Sequence, residues 1–401
     1  MTVNAPEEIK RYNAGREAER LQLKYQKMRA SPFVFMRGTC HLFYARLPDI
    51  NLFKSAPLVW ACGDLHLENF GSYKGDNRLT YFDLNDFDEA ALAPANWELV
   101  RVLTSILVAA PSLHVSQSEA TALCKTYLRS YAQALSAGKA YWTERETAQG
   151  QIRDLLVSLR ARQRAAFVDE RTQLKSKRRV LKIDGKRTLA ASADQRRAVA
   201  AFMQKFATKQ SLPAFFKVLD VARRVAGTGS LGVERYTVLV AGKGGIGGHY
   251  LLDFKQVLPS TLAPHFAALQ PVFKSEAQRV VQVQRRMQAV SVALMAPVKF
   301  NGKPFVLREL QPQQDRIVLS AANQHGDNLA KSIATLGQIL AWAQLRSAGQ
   351  SGSANVDELM AFGQRKKWQA KLLTAVHRCA ELVSQDAAAF NAAFDAGQLG
   401  D

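Results

Sequence analysis

The spacing of apolar positions changes several times along the chain. Residues 7–30 carry Ile9, Tyr12, Leu21 and Tyr25 sparsely among charges, which predicts a charged helix. The aromatic-rich stretch SPFVFMRGTCHLFYARL (31–47) follows, with Arg37-Gly38 embedded in it. Two short apolar runs, LVWAC (58–62) and LTYFDL (79–84), predict strands separated by a polar loop. From Asn96 to about Leu159, Trp97, Val100, Leu103 and Leu107 begin a pattern of helical period. RVLKIDGKRTLA predicts a hairpin turning at Asp184-Gly185.

After Pro213 the chain becomes Gly-rich and strand-like over 222–257. A helix is predicted over 275–290, then two strands around Asn301-Gly302 ending in PFVLREL (304–310). Residues from about Leu329 to Phe394 read as helical, including 331–348. There are no internal repeats. The pattern predicts an α+β protein in three parts. A helical part (1–221) carries a basic insertion (153–190), a β-rich part spans 222–312, and helices 313–401 complete the first.

At 401 residues, with 47% hydrophobic and 22% charged positions, the composition is that of a globular chain and excludes disorder and coiled coil. Lys and Arg number 54 against 34 Asp and Glu, a net charge of +20 that points to acidic partners such as nucleotides or nucleic acid. The basic positions concentrate at 153–187, where twelve Lys or Arg face four acids, which marks either a solvated face or an acidic partner's docking surface. The four cysteines, Cys40, Cys62, Cys124 and Cys379, form no C-x-x-C pair, so reduced buried thiols are expected rather than zinc or disulfides. No apolar run is long enough to span a membrane, and the charged N-terminus lacks a signal-peptide core. A cytoplasmic location is the expectation.

The sharpest chemistry lies in GDLHLEN (63–69) and FDLNDFDE (82–89), both following predicted strands. An Asp, an Asn five residues on and a later Asp-Phe-Asp suit phosphoryl transfer. One carboxylate takes or orients the attacking hydroxyl's proton, while Asn and Asp oxygens hold Mg²⁺ on nucleotide phosphates. Asp64, Asn69 and Asp86 are the candidates, with Asp83 competing for the metal role. GTGSLG (227–232) fits G-x-G-x-x-G but opens the strand RYTVLV, which argues against a dinucleotide site and for a loop between strands. Lys255 on the next strand becomes the phosphate-pairing candidate.

These motifs resemble the protein-kinase-like superfamily, particularly aminoglycoside and choline kinases, whose catalytic loop reads H-G-D-x-H-x-x-N. The resemblance implies that Asp64 is the catalytic Asp and Asn69 a metal ligand, with Asp86 in the metal-binding Asp position. Cys62 stands where that family usually has His. It further implies that Gly227, Gly229, Ser230 and Gly232 hold ATP phosphates, and that Glu276 partners Lys255. Glu309–Gln311 would form the adenine hinge, His66 would buttress the loop, and Glu98 would resemble the acid that anchors it from a following helix. The parts come in rotated order, implying a circularly permuted bilobal kinase-like fold cut just before the catalytic loop.

The whole set also resembles a bacterial family, the domain-of-unknown-function 2252 family, through F-x-F-x-R-G (33–38), G-D-x-H-x-x-N-F-G (63–71), F-D-x-N-D-F-D-E (82–89) and G-T-G-S-x-G (227–232). Arg37 falls in the first motif, either stabilising phosphate charge or pairing with nearby carboxylates. The expected function is ATP- and Mg²⁺-dependent transfer to an unidentified hydroxyl acceptor, small molecule or protein. The alternatives are nucleotidyl transfer, a nucleotide-binding pseudokinase, and a basic nucleic-acid-binding or scaffold protein. Two-metal phosphoesterases share G-D-x-H but need a downstream G-N-H motif that is missing.

Overall fold

A computed structural model describes residues 4–48, 50–160, 162–176, 178–311, 317, 319–320 and 327–399. The expected boundary at 312–313 and Lys177 of the basic segment lie outside the described residues. The fold is mixed α+β. Among the described residues there are twelve strands: β1 (Leu58–Ala61), β2 (Phe70–Lys74), β3 (Thr80–Leu84), β4 (Ala91–Pro94), β5 (Thr172–Lys175), β6 (Arg178–Leu181), β7 (Thr188–Ala190), β8 (Val218–Arg224), β9 (Arg235–Val240), β10 (Tyr250–Gln256), β11 (Ala296–Phe300) and β12 (Lys303–Glu309).

Six of them form an antiparallel sheet in the order β11-β12-β10-β9-β8-β7. Its register sets Lys255 opposite Arg235 on β9 and Val306 on β12, and Asp253 opposite Thr237 and Arg308. Alternation along each strand separates two faces. One buries Tyr236, Val238, Leu252, Phe254, Phe305 and Leu307 against Val199, Met203 and the partly buried Phe202 and Phe206 of helix Ala193–Ala207. The other carries Arg235, Asp253, Lys255 and Arg308 toward the rest of the molecule. Residues 188–221, grouped by composition with the helical part, supply β7, β8 and this helix to the sheet.

The larger core packs helices Ala95–Val108, Gln117–Ser136, Asp327–Arg346 and Lys367–Asp395 around the short ladders β1–β4 and β2–β3. Gly337 explains how closely two of these helices approach, because a Cβ there would lie 2.5 Å from the Tyr127 carbonyl oxygen. Helix Ala95–Val108 is buried on nearly every side. Its Glu98 and Arg101, three residues apart and so on one face, project inside the protein rather than into water.

Three local expectations are corrected. The charged N-terminal helix is two helices, Ala5–Asn13 and Ala18–Met28, broken where Gly15 takes φ of +77°. The Asp184-Gly185 turn exists, with Asp184 accepting from the amides of Lys186, Arg187 and Thr188. Its arms do not pair, however: β6 pairs with β5 and β7 with β8. The polar loop after β1 contains β2, and β4 follows β3, because both pair as short buried ladders without an alternating pattern.

Candidate functional site

The loops after β1 and β3 meet through Asn69. Its Nδ2 donates to the carbonyls of Asp64 (3.1 Å) and Asp86 (3.2 Å), and its Oδ1 accepts from the Asp86 amide at 2.7 Å. The first loop is also held from behind. Glu98 Oε1 accepts from the amides of Cys62 (2.7 Å) and Gly63 (3.3 Å), and the Tyr44 hydroxyl donates to the Gly63 carbonyl. His66 Nδ1 accepts from the Glu68 amide at 3.1 Å, so the loop turns on its own side chain.

Asp64 is fixed by Arg101. The guanidinium Nε donates to Asp64 Oδ1 at 2.8 Å, a second nitrogen also reaches Oδ1, and that same nitrogen donates to the Met36 carbonyl at 2.9 Å. Burial pushes the Asp64 carboxyl above its ordinary range, against the pull of Arg101. Both hydrogen bonds from Arg101 end on one oxygen. The other, Oδ2, points under the glycine loop, 4.0 Å from where a Cβ on Gly229 would be.

The second loop brings Asp86, Asp88 and Glu89 to the same cleft. Burial raises the Glu89 carboxyl to about 7, although Thr261 donates to it from both its amide and its hydroxyl. Across from these acids, Lys255 on β10 donates to Asp88 Oδ2. The loop 225–234 joins β8 to β9 and closes one side, with Gly227 and Gly232 at φ of +72° and +85°. Two N-terminal cations hold it: Arg16 donates to the carbonyls of Gly229 (2.7 Å) and Leu231 (3.0 Å), and fully buried Lys24 reaches Gly229 at 3.4 Å.

Asp64, Asn69, Asp86, Arg37, Lys255, Gly227, Gly229 and Ser230 therefore share one cleft. Arg37 pairs there with Glu68 at 2.6 Å. The other expected residues lie elsewhere. Gly232 sits behind the loop, against Arg16. Glu276 does not reach Lys255: from the first turn of helix Glu276–Met287 it bonds Arg279 at 2.6 Å, and Arg279 in turn donates to the carbonyls of Asp88 and Ala90. The lysine's partner is Asp88 instead. Asp83 is buried away from the cleft, accepting from Arg346 at 2.9 Å and from the Ala289 amide at 3.1 Å. Glu309 pairs with Arg78 at 2.8 Å on a neighbouring opening, while Gln311 reaches the cleft.

Sequence reasoning missed Arg101, Arg16, Lys24, Glu89 and the Arg224–Arg235–Arg308 group around Asp253. For Arg101 and Glu98 a signal existed: two opposite charges three residues apart in an otherwise apolar helix need buried partners. Part of the basic insertion's charge is used internally, by Arg179 with Asp169, and by Arg187 with Glu170 and Asp184.

Among the described residues, no three Asp, Glu, His or Cys side chains are placed to hold a metal by themselves. Asp86, Asp88 and Asn69 offer oxygen donors to the cleft, the kind a hard cation such as Mg²⁺ takes while keeping water and phosphate in its shell.

The class so defined is an α+β protein whose cleft sets acids on two strand-end loops against cations on a sheet. Over residues 16–393 the chain matches the family described as uncharacterised proteins conserved in bacteria (DUF2252), and it belongs to that family. No curated protein and no solved structure matches it.

Proposed function

We propose that this protein is a Mg²⁺-dependent phosphotransferase that takes the terminal phosphoryl group of ATP to an acceptor hydroxyl. Its two parts would be arranged as a circularly permuted kinase-like pair. The observation that carries the reading is the opposition across one cleft of Asp64, Asp86 and Asp88 to Lys255 and the 227–230 loop. Acids alone would suit a metal site, and cations alone an anion site. Facing each other, they suit a metal–polyphosphate substrate.

In this mechanism Asp64 orients the acceptor hydroxyl through Oδ2 and takes its proton. The hydroxyl oxygen bonds to the terminal phosphorus as the bond to the leaving oxygen breaks, and ADP departs. Arg101 keeps the carboxylate in one rotamer, and burial makes it a better base than a solvated Asp. Lys255 exchanges Asp88 for a phosphate oxygen when nucleotide enters, and Arg37 adds charge at the glycine-loop side. Asp86 and Asp88, with the second lone pair of Asn69 Oδ1, would hold Mg²⁺. Bound there, the ion would neutralise phosphate charge and polarise the transferred group.

The test is titration calorimetry of ATP on Asp86→Ala. The Mg²⁺-dependent part of binding is lost while the circular dichroism spectrum is unchanged. Binding identical to wild type removes Asp86 from the metal role.

A further inference from the structure

On the sheet face that lines the cleft, Lys255 has a neighbour of different character. Two residues along β10, Asp253 points the same way and is nearly inaccessible. Arg235 grips it with two nitrogens, at 2.7 and 2.6 Å. Arg224 adds a contact at 2.9 Å, and Arg308 stands off at 3.6 Å. Three guanidiniums share one carboxylate, so the group carries two uncompensated positive charges. Burial pulls the Arg224 guanidinium down to about 9, with Arg235 and Arg308 adding to the effect against the pull of Asp253.

Beyond Asp253, the charges of Asp88 and Asp86 across the cleft act on Arg235 at longer range. Gln311, beside Arg308 in the cleft, has a buried Nε2 with no hydrogen-bond partner among the described residues. The face offers no free apolar platform either, since Ala222, Leu239 and Leu251 lie beneath Val168, Leu181 and Leu310 of the chain itself.

We propose that Arg224, Arg235 and Arg308, preset by Asp253 and joined by Gln311, form an oxyanion subsite for a phosphate-class group, separate from the one at Lys255. Guanidinium forks match phosphate oxygens in pairs. The excess of two charges matches a phosphomonoester, which carries about −1.5 to −2 at neutral pH, better than a single carboxylate. Arg308, the least engaged of the three, turns onto the incoming group. The group belongs either to a phosphorylated acceptor or to the donor nucleotide. The subsite stands on the sheet geometry and does not depend on phosphoryl transfer.

The experiment is calorimetry of inorganic phosphate on the full chain in EDTA, with wild type, Arg308→Gln and, as a control for general positive charge, Lys175→Gln on the exposed basic segment, each checked by circular dichroism. Wild type binds, Arg308→Gln weakens binding at least tenfold, and Lys175→Gln changes it less than threefold. No binding by wild type, unchanged binding by Arg308→Gln, or equal loss in both variants overturns the proposal. Because no nucleotide is present, failure here is distinct from failure of the phosphotransferase reading. Repeating the titration under saturating Mg²⁺ and non-hydrolysable ATP analogue identifies the source. Persistence assigns the subsite to a phosphorylated acceptor and displacement to the donor, and both uphold it.

Discussion

Arg101 places both of its hydrogen bonds to Asp64 on a single carboxylate oxygen, from a helix position with no exposed side-chain surface. The cleft's central acid is thus aimed by the core, and its free oxygen is the one that faces the glycine loop. Arg101→Met leaves a buried carboxylate alone. Removing one partner of such a pair costs about 3–5 kcal/mol. Urea unfolding reads the loss, and a double-mutant cycle with Asp64→Asn shows positive coupling. Additive effects would mean the pair does not act as a unit.

Glu98 serves the same loop through its backbone. Glu98→Ala strands the amides of Cys62 and Gly63 in the core, at about 1–3 kcal/mol per unsatisfied group. Glu98→Gln keeps an acceptor oxygen and recovers most of the stability. Thermal melting of the two variants separates lost hydrogen bonds from lost charge.

Gly63 shows why the loop after β1 cannot carry a side chain. At φ of +86°, a Cβ would fall 2.0 Å from the Glu89 carbonyl oxygen. Gly63→Ala therefore fails to give a cooperative melt. Gly185→Ala, also at positive φ but with nothing within 4 Å, loses only the conformational cost of about 1–2 kcal/mol.

His41 stacks on Tyr12 at 3.8 Å, and among the described residues neither ring nitrogen has a hydrogen-bond partner. Burial, reinforced by Lys24 and Arg16, lowers its pKa to about 3. The unfolded chain, with an ordinary imidazole near about 6.5, binds the proton first, so stability falls as pH drops from about 6.5 toward 3. By pH 5 the loss is about 2 kcal/mol. His41→Phe flattens that slope in melts from pH 7 to 4.5, and an unchanged slope would place the acid sensitivity elsewhere.

Local pattern made much of this arrangement readable. The strands flanking the glycine loop, the helix after Ser275 and the turn at Asn301-Gly302 follow from turn residues, an N-cap and periodicity, which act over a few residues. The meeting of Asp64, Asn69 and Asp86 was legible because each follows a strand within one short stretch. Pairings across the chain were not. Lys255 meets Asp88 rather than Glu276 because Arg279, three residues along the same helix turn, satisfies Glu276 first. The two arms of the Asp184 turn join different sheets, since Leu181 on β6 and Leu189 on β7 bury against different clusters. Asp83 and Asp86 look alike in sequence, and only the position of Arg346, 263 residues away, tells the buried structural acid from the cleft acid.

Whether the acid loops and the Lys255 sheet form one Mg²⁺–nucleotide site is decided by calorimetry of ATP with and without Mg²⁺, on wild type and Lys255→Ala. The expected result is Mg²⁺-dependent binding with Kd on the order of micromolar, weakened at least tenfold in Lys255→Ala. Absence of nucleotide binding in either condition, or binding indifferent to both Mg²⁺ and Lys255, would rule the site out.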